Sequence, residues 1–227
     1  MSDITDFVPE LLAVETGSDY EMPPTGLWQG VCYSVIDLWT QKETFEGETK
    51  DAHKVRIGFE FSAEINAETG EEKVFTIHKE FTLSFGGRSK LRQFIDSWNG
   101  GETKMTNEEA KGFNVFSLLG KEVSLNIVEK TSAKNKKYVD ISSLSPRIKK
   151  IALHTREKEN TYLLLNEKYF NEETFDKLPN FIKEKIQLSP EYKKMYWIET
   201  LDEQESNMKE EAKTTVTVAD AQNVFGE

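Results

Sequence analysis

The chain has 227 residues, of which 37% are hydrophobic and 30% are charged, and its formal net charge at pH 7 is -11. This length suits one domain with extensions or two small domains. No apolar run approaches the roughly 18 residues that cross a bilayer, and the single cysteine, Cys32, can form no internal disulfide. With no signal-peptide pattern at residue 1, these features predict a cytoplasmic protein without a membrane span or a cysteine-based zinc module.

The negative charge is concentrated at the two ends of the chain. Residues 1–26 hold six acidic residues and no lysine or arginine, while residues 199–227 hold eight acidic residues against Lys209 and Lys213. The segment 27–198 between them carries a net charge of only +1. The overall charge therefore does not exclude a nucleic-acid partner for this segment, although acidic ends can also simply keep a domain soluble.

The first half of the chain predicts an acidic lead-in and then three strands. Residues 1–26 lack sustained periodicity and end in Pro23-Pro24-Thr25-Gly26, which predicts a non-helical segment. Strands are predicted at 27–38, 54–63 and 73–85, because Val, Ile, Tyr and Phe are enriched there and, in the latter two, alternate with polar or small residues.

Two helices and two further strands are predicted next. Ser89 is placed to cap a helix that runs to Trp98, and Thr106 with Glu109 has the spacing of a capping box for a shorter helix. Strands at 122–127 and 138–144 then show the same alternation as the earlier ones.

This order of elements predicts a mainly β protein. Three strands, a helical insertion and two strands match a five-stranded OB-fold barrel over residues 27–146, with the insertion between strands 3 and 4. The capping pattern at Asn171 and the breaks at Pro179 and Pro190 predict a helical appendage over residues 147–198. Residues 199–227 have few large apolar side chains, which predicts a flexible, disordered acidic tail.

The two loops that border the oligonucleotide groove of an OB fold are predicted to mix lysines with aromatic residues. Cations neutralise phosphates, and aromatic faces stack unpaired bases at roughly 1–3 kcal/mol per base. The predicted single-stranded DNA-binding residues on the first strand and in the loop after it are Tyr33, Trp39, Lys42, Phe45 and Lys50. Those on the second and third strands and the turn that follows are Lys54, Arg56, His78, Lys79 and Arg88. Those in and beside the last loop are Lys130, Lys134, Lys136, Lys137 and Tyr138.

Other readings of these residues stay open. Lys-rich turns are commonly just solvated hairpins, and Trp39 or Tyr138 could belong to the core at a barrel end. Lys90 and Arg92 join Arg88 at the start of the first helix, where the helix dipole also attracts phosphate. In the tail, Phe225 would supply an apolar anchor for a partner protein, and the acidic segment would occupy the cationic groove until DNA displaces it.

Motifs of catalysis are missing from the sequence. It contains no G-x-x-x-x-G-K-[ST], no G-x-S-x-G, no H-E-x-x-H and no G-x-G-x-x-G that opens a helix. We therefore expect no catalytic residues, no metal and no cofactor. A metal-dependent nuclease is the weakest hypothesis, since no acid pair stands out among 40 Asp and Glu.

Several short runs resemble a known family. They are Val31 to Gln41, Lys54-Val55-Arg56-Ile57, Thr82-Leu83-Ser84, Ser89-Lys90-Leu91-Arg92, Ser97-Trp98, Gly112-Phe113 and Leu118-Leu119-Gly120-Lys121. Over about residues 27–146 the chain resembles the OB-fold single-stranded-DNA-binding proteins of bacteriophages. The resemblance implies a non-catalytic role in replication, recombination or repair of phage DNA in the bacterial cytoplasm, with replication or recombination proteins as partners of the tail. The alternative is an OB-like accessory of such a complex, whose loops contact a protein instead of DNA.

Overall fold

The computed structural model of the chain describes residues 21–45, 47–66, 68–101, 104–153, 156–164 and 168–195. Within these residues the protein is mainly β, with a six-stranded sheet and short helices. In chain order the elements are β1 (Gly26–Phe45), β2 (Glu48–Asn66), β3 (Glu71–Thr82), α1 (Lys90–Trp98), α2 (Asn107–Lys111), a 3-10 helix (Val115–Leu118), β4 (Glu122–Thr131), β5 (Lys137–Ser145), β6 (Thr161–Leu163), α3 (Glu172–Asp176) and α4 (Asn180–Gln187). The predicted tail with Phe225, and residues 1–20 of the predicted lead-in, lie outside the described residues.

The sheet contains all five predicted strands in the order β3-β2-β1-β4-β5. Neighbours on this path are antiparallel, and β6 adds a short parallel pairing with β1 at Ser34, Val35 and Ile36. The helical insertion between β3 and β4 is also present as predicted.

Backbone pairing does not close this sheet into the expected five-stranded barrel. The hydrogen-bonded path ends at β3 and β5, and no ladder joins these two strands in the part of the chain that the structure describes. A side chain bridges them instead: Lys79 Nζ on β3 lies 2.6 Å from Asp140 Oδ1 and 2.6 Å from the carbonyl oxygen of Ile141 on β5. Lys79 therefore links β3 to β5 through its side-chain ammonium group and not through backbone hydrogen bonds.

The main core lies between the inner face of the sheet and α1. Ser89 caps α1 by accepting from the backbone N–H of Arg92, as predicted. The ring of Phe59, fully buried on β2, packs edge-on against Phe94 and Trp98 of α1, with centroids 6.3 and 5.5 Å apart. The aromatic residues of the predicted helix therefore serve packing.

A second core lies on the opposite face of β1 and corrects the view of residues 147–198 as a helical appendage. This segment contains β6 as well as α3 and α4, and the structure describes it as far as Met195. Five of its apolar side chains form one buried cluster with three side chains of β1, so it forms an integral layer of the fold. The second core consists of Ile36, Leu38, Trp39, Leu163, Phe175, Ile182, Ile186 and Met195.

Candidate nucleic-acid interface

The predicted loop between the first two strands is not a loop. β1 continues to Phe45 and β2 begins at Glu48, with Lys42 opposite Asp51 and Glu43 opposite Lys50. The predicted contact residues Trp39, Lys42, Phe45 and Lys50 therefore lie on the strands of a long hairpin. Apart from Phe45 and Ala52, its outer part (residues 40–45 and 48–53) consists of polar residues, so it lacks the apolar alternation by which a strand is predicted.

Trp39 is buried and does not present a stacking surface. Only 5% of the residue is exposed, and its ring packs edge-on against Tyr192 at a centroid distance of 6.3 Å. Exposing the eight apolar side chains of the second core would cost about 12–24 kcal/mol, at about 1.5–3 kcal/mol each. One stacked base returns only roughly 1–3 kcal/mol. The prediction that Trp39 stacks on DNA is therefore wrong for this fold.

The two cation-bearing hairpins project from opposite ends of β1. The β1–β2 turn lies beyond Phe45, whereas the β4–β5 turn lies beyond Gly26, because Gly26 pairs with Ile127 and β4 runs on to Thr131. Residues 54–61 of β2 pair with β1 between these ends. The outer face of β2 and β3 thus lies between the two hairpins.

Tyr33, Arg56 and His78 come together on this outer face. Gly58 pairs with His78 and Arg56 with Glu80, so His78 and Arg56 point away from the core on neighbouring strands. Tyr33 lies in a bulge of β1, and its Oη is 2.8 Å from Nε2 of His78. A side chain at Gly58 would collide with the imidazole, since a Cβ there would lie 2.6 Å from Cδ2 of His78.

Both rings of the Tyr33–His78 pair are neutral at physiological pH. Burial, with a smaller contribution from the Arg56 charge, lowers the pKa of His78 to about 3. Burial also raises the pKa of Tyr33 to about 12. The pair is therefore uncharged and half-buried beside the guanidinium of Arg56.

Many of the predicted cations are paired with carboxylates. The pairs are Lys50–Glu48 (2.9 Å), Lys54–Glu43 (2.6 Å), Arg56–Glu80 (3.2 Å), Lys79–Asp140 (2.6 Å), Lys130–Asp140 (2.5 Å) and Lys137–Glu129 (2.9 Å). Burial alone would raise the pKa of Asp140, but hydrogen bonds from Lys130 and Lys79 outweigh it and hold that pKa below its usual value. The pairs Lys50–Glu48 and Lys137–Glu129 are exposed on both sides, and pairs of this kind contribute about 0–1 kcal/mol.

Other predicted residues are exposed. Lys42, Arg88, Lys134 and Lys136 face solvent and form no ion pair with any residue that the structure describes. Tyr138, at the start of β5, is 43% exposed. Arg92 differs: it is 8% exposed and donates to Asn107 Oδ1 and to the carbonyl oxygens of Phe85 and Met105. Arg92 therefore ties α1 to the chain before α2, and the suggestion that it attracts phosphate is wrong.

Two cavities of the protein lie away from the predicted DNA-contact residues. One cavity of about 630 Å³ lies between the 3-10 helix, β6 and α3, and another of about 270 Å³ lies beside α1. None of the predicted DNA-contact residues lines either cavity.

Phe181 and Lys185 of α4 were missed by the sequence reasoning, although they lie against Arg56 and Glu80 of the outer face. The amphipathic pattern of the helix could have pointed to Phe181. In the helix 180–187, Ile182 and Ile186 share the buried face, and Phe181 is the large apolar residue left off it.

In the described residues, no group of three or more His, Cys, Asp or Glu is arranged to hold a metal ion. None of the helices in the described ranges is long and apolar enough to span a membrane. No protein-family model matches the chain, and a search of curated proteins found no match.

Proposed function

We propose that the protein binds single-stranded DNA, without catalysis, on the outer face of β2 and β3. The observation that carries this proposal is the grouping of Tyr33, His78 and Arg56 on a face that lies between two lysine-bearing hairpins. Single-stranded DNA requires ring surface for its bases and cations along its phosphates, and this face combines both. The resemblance to phage single-stranded-DNA-binding proteins extends the proposal to protection of phage DNA during replication, recombination or repair.

We also propose that the sheet is an OB-type barrel left open along one seam. The path β3-β2-β1-β4-β5 is the strand order of an OB barrel cut between its third and fifth strands, and the Lys79 bridge lies at that cut. The position of α1 between β3 and β4 supports the same proposal.

The test is the salt dependence of binding to a labelled, unstructured oligothymidylate, followed by fluorescence anisotropy. We expect saturable binding whose log affinity falls with log salt by about 0.7 for each phosphate neutralised. Removing two exposed cations in the variant K134A/K136A should weaken binding and make that slope shallower by about 0.7 per lost contact. K111A, at the end of α2 in the helical insertion, is the matched control and should bind like the wild type. Absence of binding at low salt would refute the proposal.

A protein-interaction module is the second candidate function. The carboxylate pairing of so many predicted cations favours it, because neutralised lysines attract phosphate less strongly. The same titration separates the two: this module would leave the oligonucleotide unbound. Magnesium-dependent cleavage of the oligonucleotide would instead contradict the absence of catalysis.

A further inference from the structure

We infer that Phe181, in the C-terminal segment outside the five-stranded unit, is a base-stacking residue of the interface. The inference rests on the proposed function and deepens it, because it adds α4 to the surface that contacts DNA. Its starting point is the exposure of the ring. Phe181 is 57% exposed, whereas Ile182 and Ile186 of the same helix are 2% exposed or less.

Packing does not account for this ring. The helix docks through Ile182 and Ile186, which belong to the second core, and Phe181 is not a member of that core. An exposed aromatic residue beside a candidate binding face is a typical feature of interaction surfaces.

The ring is held against the sheet by a cation. The guanidinium carbon of Arg56 on β2 lies 5.4 Å from the centroid of the Phe181 ring, within the range of a cation–π contact. Arg56 is itself fixed, because its Nη1 donates to Glu80 Oε1 on β3 at 3.2 Å. Arg56 therefore supports the aromatic ring from the side of the sheet.

A second ion pair fixes the helix at the same point. Lys185, one turn after Phe181 on α4, pairs with Oε2 of Glu80. Glu80 thus accepts hydrogen bonds from Arg56 on the sheet and from Lys185 on the helix. Together the three side chains carry a net charge of +1. The ring is ordered before any ligand arrives, which reduces the entropy lost on binding.

The chemistry of this platform matches one nucleotide of a single strand. A base can stack on the exposed ring while its phosphate approaches Arg56 or Lys185. Arg56 is close enough to His78 for its charge to lower the pKa of that imidazole. Phe181 and the Tyr33–His78 pair therefore both lie near Arg56.

The experiment compares the full-length wild type with F181A, F181W and L188A in the oligothymidylate titration. Leu188, at the end of α4, is 68% exposed and is the matched control for removal of an exposed apolar side chain. We expect F181A to lose about 5- to 150-fold in affinity with an unchanged salt slope, since a stacking ring neutralises no phosphate. F181W should bind like the wild type and show additional fluorescence quenching. L188A should be unaffected.

Each outcome separates this inference from the proposed function. If the wild type binds and F181A binds equally well, the platform is refuted and the proposed function stands. If F181A and L188A weaken binding alike, the loss reflects general disturbance of α4 and the platform is likewise refuted. If the wild type does not bind, the proposed function itself fails. Thermal unfolding of the variants shows whether each one is folded, and F181W keeps the test decisive should F181A be unstable.

Discussion

At the scale of single residues, Glu60 shows how the C-terminal half is fastened to the sheet. It is 0% exposed on β2, and Arg156 Nε lies 3.1 Å from its Oε1. The backbone N–H of Lys158 donates to its Oε2 at 2.9 Å. A fully buried carboxylate is tolerated only when it is paired and hydrogen-bonded, so these contacts hold the segment after β5 in place.

The two partners of this ion pair should respond unequally to mutation. We expect Arg156→Ala to cost about 1.5–3 kcal/mol, because it removes a charged hydrogen-bond donor from a fully buried carboxylate. Glu60→Gln should cost less, since the amide oxygen can still accept and the Arg156 side chain, 34% exposed, reaches water. The free energy of unfolding in urea measures both. Lys177→Ala, which breaks an exposed pair with Glu173, is the control and should cost less than about 1 kcal/mol. Equal costs for the Glu60 and Arg156 variants would contradict this account.

At the scale of elements, β1 bends at Trp39. The register with β2 shifts between Asp37 and Trp39, and Trp39 has a φ of 54°, in the left-handed region. Asp37 stabilises the bend, because its Oδ1 accepts from the backbone N–H of Trp39 at 3.0 Å. Burial of the indole in the second core offsets the strain of this conformation.

Because of this geometry, we expect the glycine variant at position 39 to be more stable than the alanine variant, the reverse of the usual order in a strand. Trp39→Ala should lower the free energy of unfolding by about 3–5 kcal/mol through loss of core packing. Trp39→Gly should be about 1 kcal/mol less destabilised, since a left-handed residue with a Cβ costs roughly 1–2 kcal/mol. At other strand positions, glycine lowers stability by roughly 0.5–1 kcal/mol relative to alanine. Urea unfolding of both variants decides the matter, and a more stable alanine variant would show that φ at position 39 is not restrained.

The sequence predicted the elements whose apolar residues show a clear period. The alternation in β2 and the helical spacing in α1 both come from one buried face, and the structure confirms both elements. The outer β1–β2 hairpin could not be found in this way because it is solvated on both faces. The second core depends on contacts between residues distant in sequence, as between Trp39 and Tyr192. One signal was available: the near-continuous apolar run from Val31 to Trp39 is typical of a strand buried on both faces.

The candidate site was predictable only in part, for the same reason. Arg56 and His78 could be placed on one face by counting along predicted strands, and they do lie together. The contacts of Arg56 with Glu80 and with Phe181 could not be predicted in this way, because they form only in the folded chain.

At the scale of the whole molecule, charge is separated along the chain. The net charge of -11 comes from the two ends, and residues 27–198 carry +1. A tethered anionic segment and a DNA strand would compete for the same cations on the outer face. Competition of this kind weakens with salt, because screening shortens the reach of each charge from about 10 Å at 0.1 M to about 3 Å at 1 M.

Removal of the acidic C-terminal charge should therefore tighten DNA binding at low salt. We expect this both from a chain that ends at residue 198 and from a full-length variant whose eight acidic residues in 199–227 are replaced by Asn or Gln. The full-length variant separates charge from length. The opposite change, K209A/K213A, makes the tail more negative and should weaken binding. Anisotropy titrations at low and high salt measure all three, and the differences should vanish at high salt. Equal affinities at low salt would show that the tail does not reach the cations of the interface.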